Sequence, residues 1–181
     1  LCGSLVSCRS RGPDVTLAMD VQHYDTSFNY IEIPALAVSG STQPSEGVTA
    51  INLALTKLKE DYQPVLDGSA AQTPGENHCL LYPTETDRYL NLVFFRETYH
   101  TDLNTGHITT LVYDKETGKQ VTLDDGLALA GQTEEGLCQA LAAQYDPTLS
   151  QEVPGADLCI QNQAVEGFRM GSDGQPIFYL T

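Results

Sequence analysis

The chain has 181 residues and a formal net charge of −15 at pH 7, with 24 acidic and 9 basic side chains. This length fits one domain that buries a normal core. The charge excludes electrostatic attraction to nucleic acid or to an anionic membrane surface, and it favours either solubility outside a cell or attraction of a cationic partner.

The first residues resemble the end of a secretion signal. Leu5-Val6-Ser7-Cys8 fits the cleavage site of a bacterial lipoprotein signal, in which the Cys becomes the lipidated first residue of the mature protein. A chance match of so short a motif is the alternative. We therefore predict that residues 1–12 are the end of a signal and a tether, and that the protein is extracytoplasmic and lipid-anchored to the cell membrane at Cys8.

The rest of the chain, residues 13–181, is predicted to be a single domain with an N-terminal half, 13–75, and a C-terminal half, 76–181. The chain stops in a strand-like pattern, which predicts a domain truncated at its C-terminus. In the first half, alternating apolar residues predict a strand from Val15 onward and a second strand over 29–37. Pro34 places this second strand at an edge or ends its regular pairing. A helix follows from Ser45, and its apolar stripe should lie on a sheet face: Val48, Ile51, Leu55, Leu58 and Tyr62.

The C-terminal half is predicted to open with a loop over 67–77, which is rich in Gly, Ala, Ser and Pro. A strand starting at Cys79 leads into three antiparallel strands between Tyr89 and Leu123, connected by turns that contain glycine. Acidic pairs at Asp124-Asp125 and Glu134-Glu135 mark helix starts. The predicted fold class is α+β, an antiparallel β-sheet with two helices packed on it.

A family resemblance rests on two groups of residues. Tyr113-Asp114, Thr117-Gly118-Lys119 and the run from Val121 to Asp125 resemble the core of RsiV-like domains, and Tyr30-Ile31-Glu32-Ile33-Pro34 resembles their opening. Those domains are the extracellular parts of lysozyme-sensing anti-sigma factors, and they also occur beside the catalytic domain of a peptidoglycan deacetylase. Where many members have a Gly-Gly-x-His-Gly loop, this chain has the segment from His100 to His107.

The resemblance implies a non-catalytic binding or sensory domain of a cell-surface lipoprotein. Its ligand would be a cationic protein such as lysozyme, or a cell-wall glycan or other cell-wall component. The alternative is an accessory domain of a peptidoglycan-modifying enzyme such as a polysaccharide deacetylase. The residues predicted to contact the ligand lie on and beside the divergent loop: Tyr99, His100, Asp102, Asn104 and His107.

The sequence gives only weak support for a metal site or for a catalytic carboxylate pair. His100, Asp102 and His107 combine imidazole and carboxylate, a reasonable ligand set for zinc, but their spacing matches no established motif and loop histidines are usually solvated. We predict neither a metal nor a cofactor. The acidic pairs at Asp124 and Glu134 are explained by helix starts rather than by glycoside hydrolysis, and the chain is predicted not to be an enzyme.

Aromatic and thiol side chains leave alternatives open. Four strand aromatics offer a carbohydrate platform, although core packing is the default for such residues: Phe94, Phe95, Tyr99 and Tyr113. Cys2 and Cys8 fall within the signal. The other three cysteines allow either one disulfide with one free thiol or three buried thiols: Cys79, Cys138 and Cys159.

Overall fold

The computed structural model describes residues 14–25, 28–40, 43–69, 75–99, 104–144 and 163–180. Its elements, in chain order, are β1 (Val15–Tyr24), β2 (Tyr30–Val38), α1 (Glu46–Asp61), α2 (Gln63–Leu66), β3 (Glu76–Glu85), β4 (Tyr89–Tyr99), β5 (Asn104–Asp114), β6 (Lys119–Val121), α3 (Leu123–Ala130), α4 (Glu134–Ala142), β7 (Val165–Met170) and β8 (Pro176–Leu180). The α+β class is confirmed.

Six strands form one sheet in the order β1-β2-β3-β4-β5-β6. Four of the five neighbouring pairs are antiparallel, whereas β2 and β3 run parallel through Tyr30 opposite His78 and Ile31 opposite Cys79. A parallel pair needs a long crossover, and α1 supplies it. β2 pairs with β3 only at its start, so Pro34 lies where β2 has no partner on that side, as predicted for an edge position.

One face of the sheet, here called the inner face, packs against α1. The helix begins after Ser45, whose hydroxyl accepts a hydrogen bond from the backbone N–H of Val48, which satisfies one free donor of the first turn. The predicted apolar stripe is buried, and Leu55 is 3% exposed. It packs on alternate residues of the central strands: Ile31, Ile33, Cys79, Leu90, Leu92, Phe94, Leu111 and Tyr113.

The opposite or outer face is partly covered by the hairpin β7–β8. Tyr89 and Val112 on this face form a second core with Phe168 and Met170 of β7. β7 lies against β4 and β5, and α3 and α4 pack on the hairpin. Tyr24 on β1 and Tyr82 on β3 remain 50% and 53% exposed, so a large part of the outer face is open to solvent.

The predicted helix starts are confirmed, with one shift. The hydroxyl of Thr122 accepts from the backbone N–H of Asp125, and the Asp125 carboxylate accepts from the backbone N–H of Thr122, a reciprocal cap. This cap ends the strand early, because Leu123, predicted to be its last residue, becomes the first residue of α3. No helix in the described ranges is long and apolar enough to span a membrane.

Cys79 and Cys138 are both free thiols, whereas Cys159 lies outside the described residues. Cys79 is fully buried under α1. Burial raises the pKa of its thiol to about 11, so the group stays protonated and packs as a small apolar side chain.

Candidate ligand-binding face

The structure separates the predicted ligand-binding residues. Tyr99 ends β4 and lies opposite Asn104, the first residue of β5, so both belong to the outer face. His107 lies three residues further along β5, and its Nδ1 is 3.0 Å from a carboxylate oxygen of Glu166 on β7, so it is apart from Tyr99 and Asn104. His100, Asp102 and the predicted lipidation site Cys8 lie outside the described residues.

Tyr99 ends a row of rings that crosses four strands of the outer face. The ring centroids of Tyr24 and Tyr30 are 5.7 Å apart, those of Tyr30 and His78 are 5.1 Å apart, and those of His78 and Tyr99 are 5.0 Å apart. The last two contacts are edge-on, the geometry that aromatic quadrupoles favour. The row therefore has a fixed shape before any ligand arrives.

Carboxylates flank this row. The Tyr24 hydroxyl donates a hydrogen bond to Glu32, and the Tyr99 hydroxyl donates one of 2.7 Å to Glu97. Each bond raises the pKa of its tyrosine above the ordinary 10.0, so both phenols stay protonated at neutral pH. Glu76 lies on the same face, opposite Tyr99 in the strand register. We call this set of seven residues the tyrosine face: Tyr24, Tyr30, Glu32, Glu76, His78, Glu97 and Tyr99.

A strained residue borders the tyrosine face. Phe28 has a φ of 62°, in the left-handed region that bulky residues rarely adopt, and its ring is 56% exposed. Its carbonyl accepts a hydrogen bond of 3.1 Å from Nε2 of His78. Next to it, Asn29 accepts from the backbone N–H of Asn77 and donates to Asp25. These bonds hold Phe28 in its exposed position, and such strain is concentrated at functional sites.

The outer face continues into a groove beside the hairpin, which we call the aromatic groove. It has a volume of about 510 Å³ and is lined by six residues: Tyr82, Thr84, Val93, Phe95, Arg169 and Tyr179. The Tyr82 and Phe95 rings meet edge-on with centroids 5.1 Å apart. Of the four aromatics considered from the sequence as a sugar platform, Phe94 and Tyr113 are fully buried, whereas Phe95 is 38% exposed.

A second cavity of about 510 Å³ lies beside Arg88, Lys119 and the turn after β7. Its most constrained group is Asp114, which is 5% exposed and bonds Arg88 at 2.7 and 3.1 Å. The same carboxylate accepts from the backbone N–H of Glu116, in the turn before β6. Through these contacts Asp114 stabilises the turn between β5 and β6. No group of three metal-binding side chains occurs in the part of the chain that the structure describes.

The sequence interpretation missed Tyr24, Tyr30, His78 and Tyr82 as members of one surface. Each is an alternate residue of a strand, which indicates its face but not which other strand lies beside it. A signal was present in β2, where Tyr30 and Glu32 alternate with Ile31 and Ile33. That pattern places a tyrosine and a carboxylate on the face opposite the core.

Comparison of the chain with protein-family models finds no match, and comparison with curated proteins finds none either. The resemblance to RsiV-like domains therefore rests on the motifs described above.

Proposed function

We propose that this chain is a non-catalytic binding or sensory domain of a bacterial lipoprotein, displayed outside the cell membrane. Its ligand is a cationic protein of the lysozyme type. The observation that carries the proposal is the tyrosine face, an open sheet surface on which aromatic rings and carboxylates alternate. The motif resemblance to RsiV-like domains supports the same ligand class.

The aromatic content of the face suits protein recognition. Tyrosine is enriched in protein interfaces because its ring offers apolar contact area and its hydroxyl offers a hydrogen bond, with little conformational entropy to lose. Tyr24 and Phe28 are each at least half exposed, and the contacts between neighbouring rings hold the row in place. A preorganised surface loses less entropy on binding than a mobile one.

The negative charge of the tyrosine face favours a ligand of positive net charge. Glu32, Glu76 and Glu97 lie among the rings, and the whole chain carries a net charge of −15. A negative surface steers a positive protein toward it and speeds association at low salt. Basic cell-wall hydrolases have the charge that this surface would attract.

A calorimetric titration with lysozyme tests the proposal. Tyr24→Ala and Glu97→Gln each alter the tyrosine face, and together they should weaken binding by about tenfold, or roughly 1.4 kcal/mol. Binding should also weaken as salt rises, because exposed charges are screened beyond about 8–10 Å.

Two matched variants on α1, away from this face, control for net charge and for apolar area. Glu60→Gln and Leu53→Ala, the latter at a side chain 59% exposed, should leave the affinity unchanged. If Glu60→Gln weakens binding as much as Glu97→Gln, the attraction is nonspecific. An absence of heat at low salt would end the lysozyme proposal.

The proposed location depends on lipidation of Cys8. Replacing Cys8 with Ala in the full-length precursor should move the protein from the membrane fraction to the soluble fraction. Immunoblots of fractionated cells measure this shift, and Cys2→Ala is the control. Membrane retention of the Cys8→Ala protein would contradict lipid anchoring at this residue.

An accessory domain of a peptidoglycan-modifying enzyme such as a polysaccharide deacetylase is the second candidate. The aromatic groove favours it, because the exposed faces of Tyr82 and Phe95 suit packing against a sugar ring. Sequencing the gene beyond the codon for Thr181 discriminates between the two. A deacetylase domain in the same reading frame would favour the accessory role. A stop codon after a short stretch that encodes only a few more strands would favour the receptor role.

A further inference from the structure

We propose that the aromatic groove is a second binding site, separate from the tyrosine face, and that it takes a sugar ring carrying a carboxylate. The proposal does not depend on lysozyme binding. It rests on the lining of the groove, on the unpaired guanidinium of Arg169 and on the hydroxyl groups at the rim.

Arg169 differs from most of the basic residues that the structure describes. Four of those form ion pairs with acidic side chains: Lys59 with Asp20, Arg88 with Asp114, Arg96 with Asp61 and Lys115 with Glu85. Arg169 is half-buried in β7, and its guanidinium makes no ion pair or hydrogen bond with any described residue. A chain of net charge −15 thus keeps an unpaired guanidinium beside an aromatic groove. Guanidinium binds carboxylate through two parallel hydrogen bonds, which gives both attraction and orientation.

The walls of the groove suit a pyranose ring. Since Tyr82 and Phe95 meet at an interplanar angle of 83°, they form a corner that contacts one face and one edge of a flat ligand. Val93, although only 2% exposed, also lines the groove. The apolar C–H face of a sugar packs on an aromatic ring much as a second ring does, through buried apolar area and the ring quadrupole.

The rim offers hydroxyls rather than a strand edge. The hydroxyls of Tyr82 and Tyr179 make no hydrogen bond with another residue in the described ranges, whereas the Thr84 hydroxyl already accepts one from Asn91. Phenols both donate and accept, so they match the hydroxyl groups of a sugar. An extended peptide would instead need free backbone groups. Along the β3–β4 pair these groups bond the neighbouring strand, and the free backbone groups of β3 beyond Cys79 lie on its side away from β4. The lining therefore favours a sugar over a peptide.

The test uses two monosaccharides with the same ring. N-acetylmuramic acid carries a lactyl carboxylate that N-acetylglucosamine lacks, so the pair isolates the charge. Chemical-shift titration of the ¹⁵N-labelled domain should place both ligands at residues of β3, β4 and β7, with the acidic sugar bound about fivefold more tightly, the upper range for a partly exposed charge pair.

Two groove variants separate the contributions. Arg169→Gln should remove the preference for the acidic sugar and leave the neutral sugar's affinity unchanged. Tyr82→Ala, at a side chain 53% exposed, should weaken both sugars, while Leu53→Ala on α1 should weaken neither. Lysozyme binding should not respond to Arg169→Gln, so failure of this proposal is distinguishable from failure of the proposed function.

Three results would overturn the inference. The first is the absence of shifts with either sugar up to tens of millimolar, the range in which single sugar units bind. The second is equal affinity for the two sugars in the unaltered domain. The third is dimerisation in analytical ultracentrifugation that Tyr82→Ala abolishes, because a second copy of the chain would then be the occupant of the groove.

Discussion

At the scale of single residues, two asparagines make the same pair of side-chain hydrogen bonds to a backbone segment, one at a buried position and one at a half-buried position. Asn91 on β4 accepts from the backbone N–H of Met170 at 2.8 Å and donates to its carbonyl at 3.1 Å. Asn52 on α1 makes the same pair of bonds with the backbone of Leu36, at 2.8 and 2.9 Å. Asn91 is fully buried, whereas Asn52 is only half-buried. Asn91 also donates to the Thr84 hydroxyl at 3.2 Å, so the two positions differ in burial and in this one additional bond.

Asn91→Ala should destabilise the domain more than Asn52→Ala. The first change leaves the buried N–H and C=O of Met170 without a side-chain partner, which should lower the free energy of unfolding by about 2–4 kcal/mol, since each unsatisfied buried group costs ~1–3 kcal/mol. Asn52 occupies a half-exposed position, so we expect water to take the place of its side chain after the second change and the loss to be about 1 kcal/mol. Urea unfolding measures both values. Equal losses would show that burial does not determine the cost.

At the scale of elements, the sequence predicts the structure correctly where apolar residues recur with the period of a helix or a strand. The stripe on α1 reports which residues are buried, and it was predicted correctly. In β5 the alternation of Ile108, Thr110 and Val112 did not identify the residues of the main core, which are Leu111 and Tyr113. The acidic helix starts were also correct because caps are local, made between residues three apart such as Thr122 and Asp125. The period does not report which strand is the neighbour.

The parallel pair of β2 and β3 shows this limit. An antiparallel sheet was predicted throughout, and no local pattern indicates that Tyr30 lies opposite His78, 48 residues later. The tyrosine face depends on that pair, because it brings the rings of β1 and β2 beside those of β3 and β4. Among its members only Tyr99 was predicted from the sequence to contact a ligand, as a neighbour of the divergent loop. The rest required the strand order.

At the scale of the whole molecule, two electrostatic effects act in opposite directions as pH falls. A net charge of −15 repels itself in the compact state at pH 7, and this repulsion decreases toward the isoelectric point near 4.3. Burial by itself would raise the pKa of Asp114, but the Arg88 guanidinium and the backbone N–H of Glu116 outweigh it, so the pKa lies below its ordinary 3.8. Hydrogen bonds from Thr122 lower the pKa of Asp125 in the same way.

These shifts predict how stability depends on pH. A carboxyl whose pKa is lower in the folded state stabilises the fold above its unfolded pKa, and that contribution is lost as pH falls through the folded value. The free energy of unfolding should therefore hold or rise from pH 7 toward about pH 5, where repulsion is relieved, and fall below about pH 4. Asp114→Asn should lower stability at pH 7 by about 1–3 kcal/mol, because charge-assisted bonds to Arg88 are lost. The substitution should also make the decrease in unfolding free energy below about pH 4 less steep.

Asp124→Asn, at an exposed position, controls for removing one negative charge. Urea unfolding between pH 7 and pH 3 measures all three proteins, and an acid fall of unchanged steepness in Asp114→Asn would assign the acid sensitivity to other carboxyls.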